Sequence, residues 1–243
     1  MKNLVKKVAQ RFGVDISFYH SRNSAAMQLS KVLEIVGIDL IFDIGANEGQ
    51  FAASVRENGY KGTIISFEPL SSARNKLLAC ASADLCWQVH RQSAIGDQNG
   101  EIKINISANS VSSSVLPMLE SHSGAAVGSE YINTERVPIA KLDSVASHYL
   151  TPDSRLFIKI DTQGFEWQVL DGASETLRQA RGVLCELSLV PLYEGQRLWR
   201  EIVDRLESDG FMLWALQKGF TDPRTGQSLQ MDGIFLKRDV LRG

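Results

Sequence analysis

The chain has few cysteines, no excess of positive charge and no long apolar run. Three cysteines, Cys80, Cys86 and Cys185, fall at irregular spacing among 243 residues. An odd number without a repeating interval argues against a disulfide framework and offers no metal-ligand spacing, so a reducing compartment is expected. Cys80, in an Ala-rich helical run, and Cys185, in an apolar strand run, are expected to be small buried hydrophobes. No apolar stretch approaches the ~20 residues of a membrane span, and the segment after Met1 lacks the apolar core of a signal peptide. The cytoplasm is the expected location. Lys and Arg number 26 against 28 Asp and Glu, a formal net charge of −2. Apart from Lys2, Lys6, Lys7 and Arg11, which form a solvated face, the cations are scattered. No nucleic-acid partner is therefore expected.

What is present is a rhythm. Leu4, Val5, Val8 and Phe12 recur at helical spacing, as do Leu29, Val32, Leu33 and Val36 before a closing Gly37. Residues 1–38 are thus expected to be an N-terminal helical segment and 39–243 the main domain. A strand at Leu40–Ile44, a helix from about Glu48 to Asn58, and a strand at Thr63–Phe67 follow. Next come a helix from about Ser71 to Ala83 and a short strand at Cys86–His90. Glu101–Ile106 and Val137–Leu142 then pattern as a hairpin around a Ser-rich segment, Ser107–Ser129. A loop of that length in a compact domain is functional or mobile. The alternation resumes with strand Leu156–Ile160, helix Phe165–Gln179, strand Val183–Leu189 and helix Gln196–Ser208. Phe211–Leu216 and Gly233–Leu236 form a closing antiparallel pair. Alternating βαβ units predict an α/β fold, a doubly wound, mainly parallel sheet with an inserted β-hairpin and Ser-rich loop. Ligands of such sheets bind at the carboxyl ends of the strands, where strand order reverses.

The first strand runs into Asp43-Ile44-Gly45-Ala46-Asn47-Glu48-Gly49. Gly45 and Gly49 permit a tight turn and close ligand approach ahead of a helix N-terminus. A dinucleotide fingerprint would need three spaced glycines for a pyrophosphate, and Asp43 and Glu48 would repel that group. They suit a ligand carrying ammonium and sulfonium charge, such as S-adenosylmethionine. Phe67-Glu68-Pro69 ends the second strand, and Glu68 is placed to accept from ribose hydroxyls; a helix cap is the alternative. In Ala94-Ile95-Gly96-Asp97, Asp97 suits an adenine amine and Ile95 the ring face, although Gly-Asp also suits a plain turn.

These segments, with Ile158-Lys159-Ile160-Asp161-Thr162-Gln163-Gly164-Phe165-Glu166 and Glu186-Leu187-Ser188-Leu189, resemble the FkbM family of S-adenosylmethionine-dependent methyltransferases. They occur in the family's order from about Leu40 onward. The resemblance implies a Rossmann-like, class I methyltransferase fold and methyl transfer to a hydroxyl of a sugar, glycan or secondary metabolite. N-methylation, or cofactor binding without catalysis, is the alternative on the same fold. Gln163 departs from the family's common Glu, which leaves Asp161 and Glu166 as the acids of that motif. The cofactor site so expected comprises Asp43, Gly45, Ala46, Asn47, Gly49, Glu68, Pro69, Ala94, Ile95, Asp97, Ser112 and Asp161.

Acids in buried strands are paired or functional. An alcohol needs a base or a metal to shed its proton, so Asp161 is the leading candidate for base or substrate orienter, with Glu186 second and Lys159 beside them. An ion pair of Lys159 with either acid, or Mg²⁺ held by both, is the alternative. His90 and His148 are expected to be structural, and His122 a base only if the Ser-rich loop closes. The run Asn109–Ser114 offers hydrogen bonds to the methionine carboxylate or the acceptor. Tyr193 and Glu194 are placed to contact a saccharide or small-molecule acceptor, and Trp167, Trp199 and Trp214 to be core.

Overall fold

The computed structural model describes residues 6, 7, 10–14, 20, 21 and 24–240. Lys2, Leu4, Val5 and Val8 of the expected first helix lie outside these. Phe12 is described and is exposed, as are Lys6, Lys7 and Arg11.

Seven strands form the main sheet in the order β3-β2-β1-β7-β8-β10-β9. They are β1 (Leu40–Ile44), β2 (Thr63–Phe67), β3 (Trp87–Val89), β7 (Leu156–Ile160), β8 (Ala180–Ser188), β9 (Phe211–Lys218) and β10 (Gln230–Lys237). The first five run parallel, and β10 pairs antiparallel with β8 and β9. Strand order reverses between β1 and β7, so a crevice opens at their carboxyl ends. The expected α/β, mainly parallel sheet is the fold observed.

Both faces are covered, because successive strand residues point to opposite sides. Leu40, Phe42 and Ile44 of β1, with Leu156, Ile158 and Ile160 of β7, pack under α5 (Leu142–Val145), α6 (Glu166–Asp171), α7 (Ser174–Gln179) and α8 (Trp199–Ser208). Ile41 and Phe157 face the other way, onto α1 (Ala25–Val36), α2 (Gln50–Glu57) and α3 (Ser71–Ala81). Helix α1 is part of this core: Leu29, Val32, Leu33 and Val36 are buried, and Gln217 of β9 donates to the Ala25 carbonyl at 3.0 Å.

The inserted hairpin is present as β5 (Gly100–Ser107) and β6 (Tyr131–Ala140), with β4 (Ala94–Ile95) pairing parallel to β6. Strand β6 starts six residues before the expected Val137, in a stretch too polar and exposed to show alternation. The helix expected over Phe165–Gln179 is two helices. It breaks at Gly172, where a Cβ would stand 1.8 Å from the Gly96 carbonyl oxygen. Asp143 then caps α7, accepting from the Glu175 and Thr176 amides at 3.0 and 2.8 Å. Cys185 is buried as expected, but Cys80 is exposed, because its stretch of α3 faces solvent. Trp167 and Trp199 pack on the core, whereas Trp214 is 44% exposed on edge strand β9.

Candidate active site

A cavity of ≈ 430 Å³ lies at the strand-order reversal, a size usual for small-molecule sites. Gly45, Ala46, Asn47, Glu68, Pro69, Ala94, Ile95, Lys159 and Asp161 all line it. Three non-glycine residues with positive φ occur among the described residues: Asn47 (48°), Ser110 (60°) and Gln163 (54°). All three line this cavity. Strained backbone persists where the surroundings hold it, and it concentrates at functional sites.

The floor is set by glycine. Gly45 has φ 75°, and a Cβ there would stand 1.8 Å from the Asp161 carbonyl oxygen. The β1–α2 turn and the end of β7 can therefore touch only through a bare main chain. Gly49 (φ 98°) instead faces Trp87, which would lie 2.9 Å from a Cβ. It serves packing outside the cavity wall, and its left-handed backbone delays α2 to Gln50.

Asp43 does not reach the cavity. It is fully buried, and its register partners are Ser66 on β2 and Lys159 on β7. Trp87 Nε1 donates to Ser66 Oγ at 3.0 Å, and Ser66 donates to Asp43 at 3.2 Å. Lys159 Nζ lies 3.3 Å from Asp43 and 3.5 Å from Asp161, and donates to the Gly45 carbonyl at 2.8 Å. Burial opposes the Lys159 ammonium, but Asp161 and Asp43 outweigh it and hold its pKa above the usual lysine range. Lys159 thus ties the β1–α2 turn to Asp43 and Asp161. Glu48, the other acid of the turn, pairs with Lys76 at 2.6 Å. The two acids expected to face a cationic guest are therefore both neutralised by lysines.

Glu68 is held at the end of β2 by the amides of Asn47 and Leu70, both at 2.8 Å. Burial outweighs these bonds and raises its pKa to about 7. Gln163 is the hub of the opposite end. Its Nε2 donates to Asp161 at 2.9 Å and to Glu186 at 3.1 Å, and its Oε1 accepts from the Tyr193 hydroxyl at 2.8 Å. The amide between the two acids stands in place of a shared cation. Among the described residues, no three His, Cys, Asp or Glu side chains are grouped to hold a metal ion. Glu186 lies behind Gln163, outside the cavity wall; burial and its acidic neighbours, Asp161 first, push its pKa well up. Glu166 closes the turn itself, accepting from the Thr162 and Gly164 amides at 2.9 and 3.1 Å.

The Ser-rich segment folds as an ordered cover that carries the short helix α4 (Glu120–Ser123). Ser114 Oγ donates to the Gln163 carbonyl at 2.6 Å, and Leu119 N donates to Leu192 O at 2.9 Å. Ser110, Val111, Ser113 and Ser114 line the cavity. Ser112 does not, because its hydroxyl is taken by His122 Nε2 at 3.1 Å and by Asn109. His122, tilted against the Tyr193 and Phe220 rings, lies outside the wall. Tyr193 is fully buried and Glu194 is exposed, and neither lines the cavity. Asp97 is also outside it. His90 and His148 bond to Tyr149 and to the Val145 carbonyl.

Ser93 and Asp232 also stand in the wall, and no motif marks either of them. Ser93 is 2% exposed, and its hydroxyl has no partner. Asp232, on β10, interrupts the apolar run that follows it. The expected strand Gly233–Leu236 starts one residue too late to include it, although an acid beside an apolar run is the same signal that marks Asp161.

The sequence profile of the methyltransferase FkbM domain matches residues 43–213. The chain belongs to this family. The FkbM domain's fold is shared with the FkbM methyltransferase of Methylobacillus flagellatus KT: TM-score 0.51, 12% identity, 81% of this chain covered. The chain spans only 43% of that protein's length. Fibrillarin of Aeropyrum pernix, solved with natively bound S-adenosyl-L-methionine, aligns over 87% of this chain and 73% of its own, at 11% identity and TM-score 0.49. Magnesium protoporphyrin IX methyltransferase of Synechocystis PCC 6803 aligns over 97% and 96%, at 11% identity and TM-score 0.47. No curated protein sequence matches the FkbM-domain chain. No helix of the described residues is long and apolar enough to cross a membrane.

Proposed function

We propose that this FkbM-domain protein transfers a methyl group from S-adenosylmethionine to a hydroxyl oxygen of a saccharide or small metabolite. The observation that carries the reading is the cavity at the β1–β7 reversal, with an exposed acid, Asp161, in its wall. The polar atoms present fit the cofactor. Asn47 Oδ1 and Ser93 Oγ are cut off from water without a partner, a cost that ligand hydrogen bonds would remove. Glu68 retains lone pairs to accept from ribose hydroxyls. Pro69, Leu70, Ala94, Ile95 and Phe165 offer an apolar slot for adenine, and Lys159 keeps the Gly45 carbonyl in place beneath the amino-acid end.

When bound, S-adenosylmethionine supplies a methyl group activated by sulfonium. Asp161, oriented by Gln163 and Lys159, takes the proton that the hydroxyl releases as its oxygen attacks. Its side chain is 40% exposed, which leaves it open to an acceptor. The proposed catalytic unit spans 39–243, with α1 packed on its sheet, and the proposed compartment is the cytoplasm.

A labelled-methyl assay against a cell extract, with calorimetry of S-adenosylhomocysteine, tests the reading. Asp161→Asn should lower turnover by about 10²–10⁴-fold while S-adenosylhomocysteine still binds. Full turnover in that variant removes Asp161 as the base, and a methylamine product replaces the oxygen acceptor with nitrogen.

A further inference from the structure

The cavity wall has a one-sided charge pattern. Its ionisable side chains are Glu68, Asp161, Asp232 and one cation, Lys159. That cation already faces Asp43, Asp161 and the Gly45 carbonyl. The cover adds no compensation: residues 107–130 contain neither Lys nor Arg, and the cover residues in the wall are serines and valines.

Asp232 stands apart within this pattern. Its register partner on β8 is Glu186, and among the described residues its carboxylate has no hydrogen bond. Burial, with Asp161 adding to it and Lys159 opposing, raises its pKa to about 6. It also lies beyond the stretch matched by the family profile, 43–213. The unpartnered Ser93 hydroxyl, 2% exposed in the same wall, independently marks the cavity as built for a ligand.

We propose that the methyl acceptor enters as a neutral or cationic hydroxyl compound, such as a free or amino-substituted sugar, and that Asp232 contacts it. Phosphate-bearing and nucleotide-linked acceptors are thereby rejected. This inference rests on the S-adenosylmethionine reading of the cavity. A unit charge about 5 Å from an unpaired carboxylate, at an effective dielectric of about 20, changes affinity by about two to three hundredfold. Cations gain by that factor, and anions lose by it.

The test needs no knowledge of the acceptor. Sinefungin carries an ammonium-bearing carbon where S-adenosylmethionine has its sulfonium and methyl, so it presents positive charge toward the acceptor end. S-adenosylhomocysteine does not. By calorimetry on the full chain, sinefungin should bind at least about tenfold more tightly than S-adenosylhomocysteine. Asp232→Asn should reduce that preference to within about threefold, with S-adenosylhomocysteine affinity nearly unchanged as the folding control. A preference that survives Asp232→Asn, or none in the wild type, overturns the proposal. Failure of both ligands to bind overturns the cofactor reading instead. Extract fractionated on an anion-exchange resin gives a second readout. Labelled methyl in the unretained fraction supports the proposal, and label in the retained fraction overturns it.

Discussion

Glu68 should make cofactor binding pH-dependent near neutrality. The residue is 5% exposed, and burial raises its pKa from 4.5 to about 7 despite two amide donors. In the free protein the ionised fraction then falls about tenfold between pH 8 and pH 6. In the proposed complex ribose hydroxyls donate to the carboxylate, so the bound state favours ionisation and binding must release a proton. The sign follows: affinity rises with pH through the raised pKa and levels off above it. S-adenosylhomocysteine should therefore bind about tenfold more weakly at pH 6 than at pH 8. Calorimetry at pH 7 in buffers of different ionisation enthalpy should show about half a proton released per ligand. Glu68→Gln removes the titrating group while keeping an acceptor oxygen, and should flatten the profile. Asp232, with a pKa of about 6 in the same wall, is controlled by the same comparison. A profile in Glu68→Gln as steep as in wild type would refute the assignment.

Other perturbations follow from the same geometry. Lys159→Met leaves Asp43 buried without its cation and should cost about 3–5 kcal/mol of stability in urea unfolding. Adding Asp43→Asn should recover most of that, and simple additivity would break the pairing argument. Gly45→Ala drives a methyl into the Asp161 carbonyl and forces alanine to positive φ; a loss of about 3 kcal/mol, seen as a Tm lowered by roughly 10 °C, is expected. An unchanged Tm would mean that the turn can move away. Gln163→Glu puts a third acid between Asp161 and Glu186 and should move the acid limb of the turnover profile up by about one pH unit. An unmoved limb would uncouple Gln163 from Asp161.

The legible parts of the fold were those governed by local chemistry. β1, β2 and β7 are mostly apolar stretches of five residues bounded by turns, and their expected and observed limits coincide. Contacts distant in sequence decided the rest. Gly172 looks like a tolerated helix glycine until the Gly96 carbonyl is placed against it. Asp43 looked free for a ligand because strand register is not written in the chain. Asp43 and Lys159 each follow a residue of the α1–α3 face by two, so period-two reading puts them on one face, but only the β1–β7 register makes them partners. At the site, Gly45–Asn47, Glu68 and Asp161 could be found by motif. Ser112, Tyr193 and Glu186 are held away from the wall by hydrogen bonds or packing that composition does not reveal, and Asp97 sits exposed outside it. The acidity of the cavity was anticipated, but it comes from Glu68, Asp161 and Asp232 rather than from Asp43 and Glu48.

The row Trp87–Ser66–Asp43–Lys159–Asp161 crosses four neighbouring strands, from the sheet's outer border to its centre. Asp161, the proposed proton acceptor, is consequently braced from a tryptophan three strands away, and the indole's nitrogen acts as an anchor for a site it never touches. Exchanging that indole for a ring without a donor would free Ser66, loosen Asp43's hold on the ammonium and let the carboxylate at the centre drift. Peripheral positions of this sheet are therefore poor places to assume tolerance when the protein is engineered.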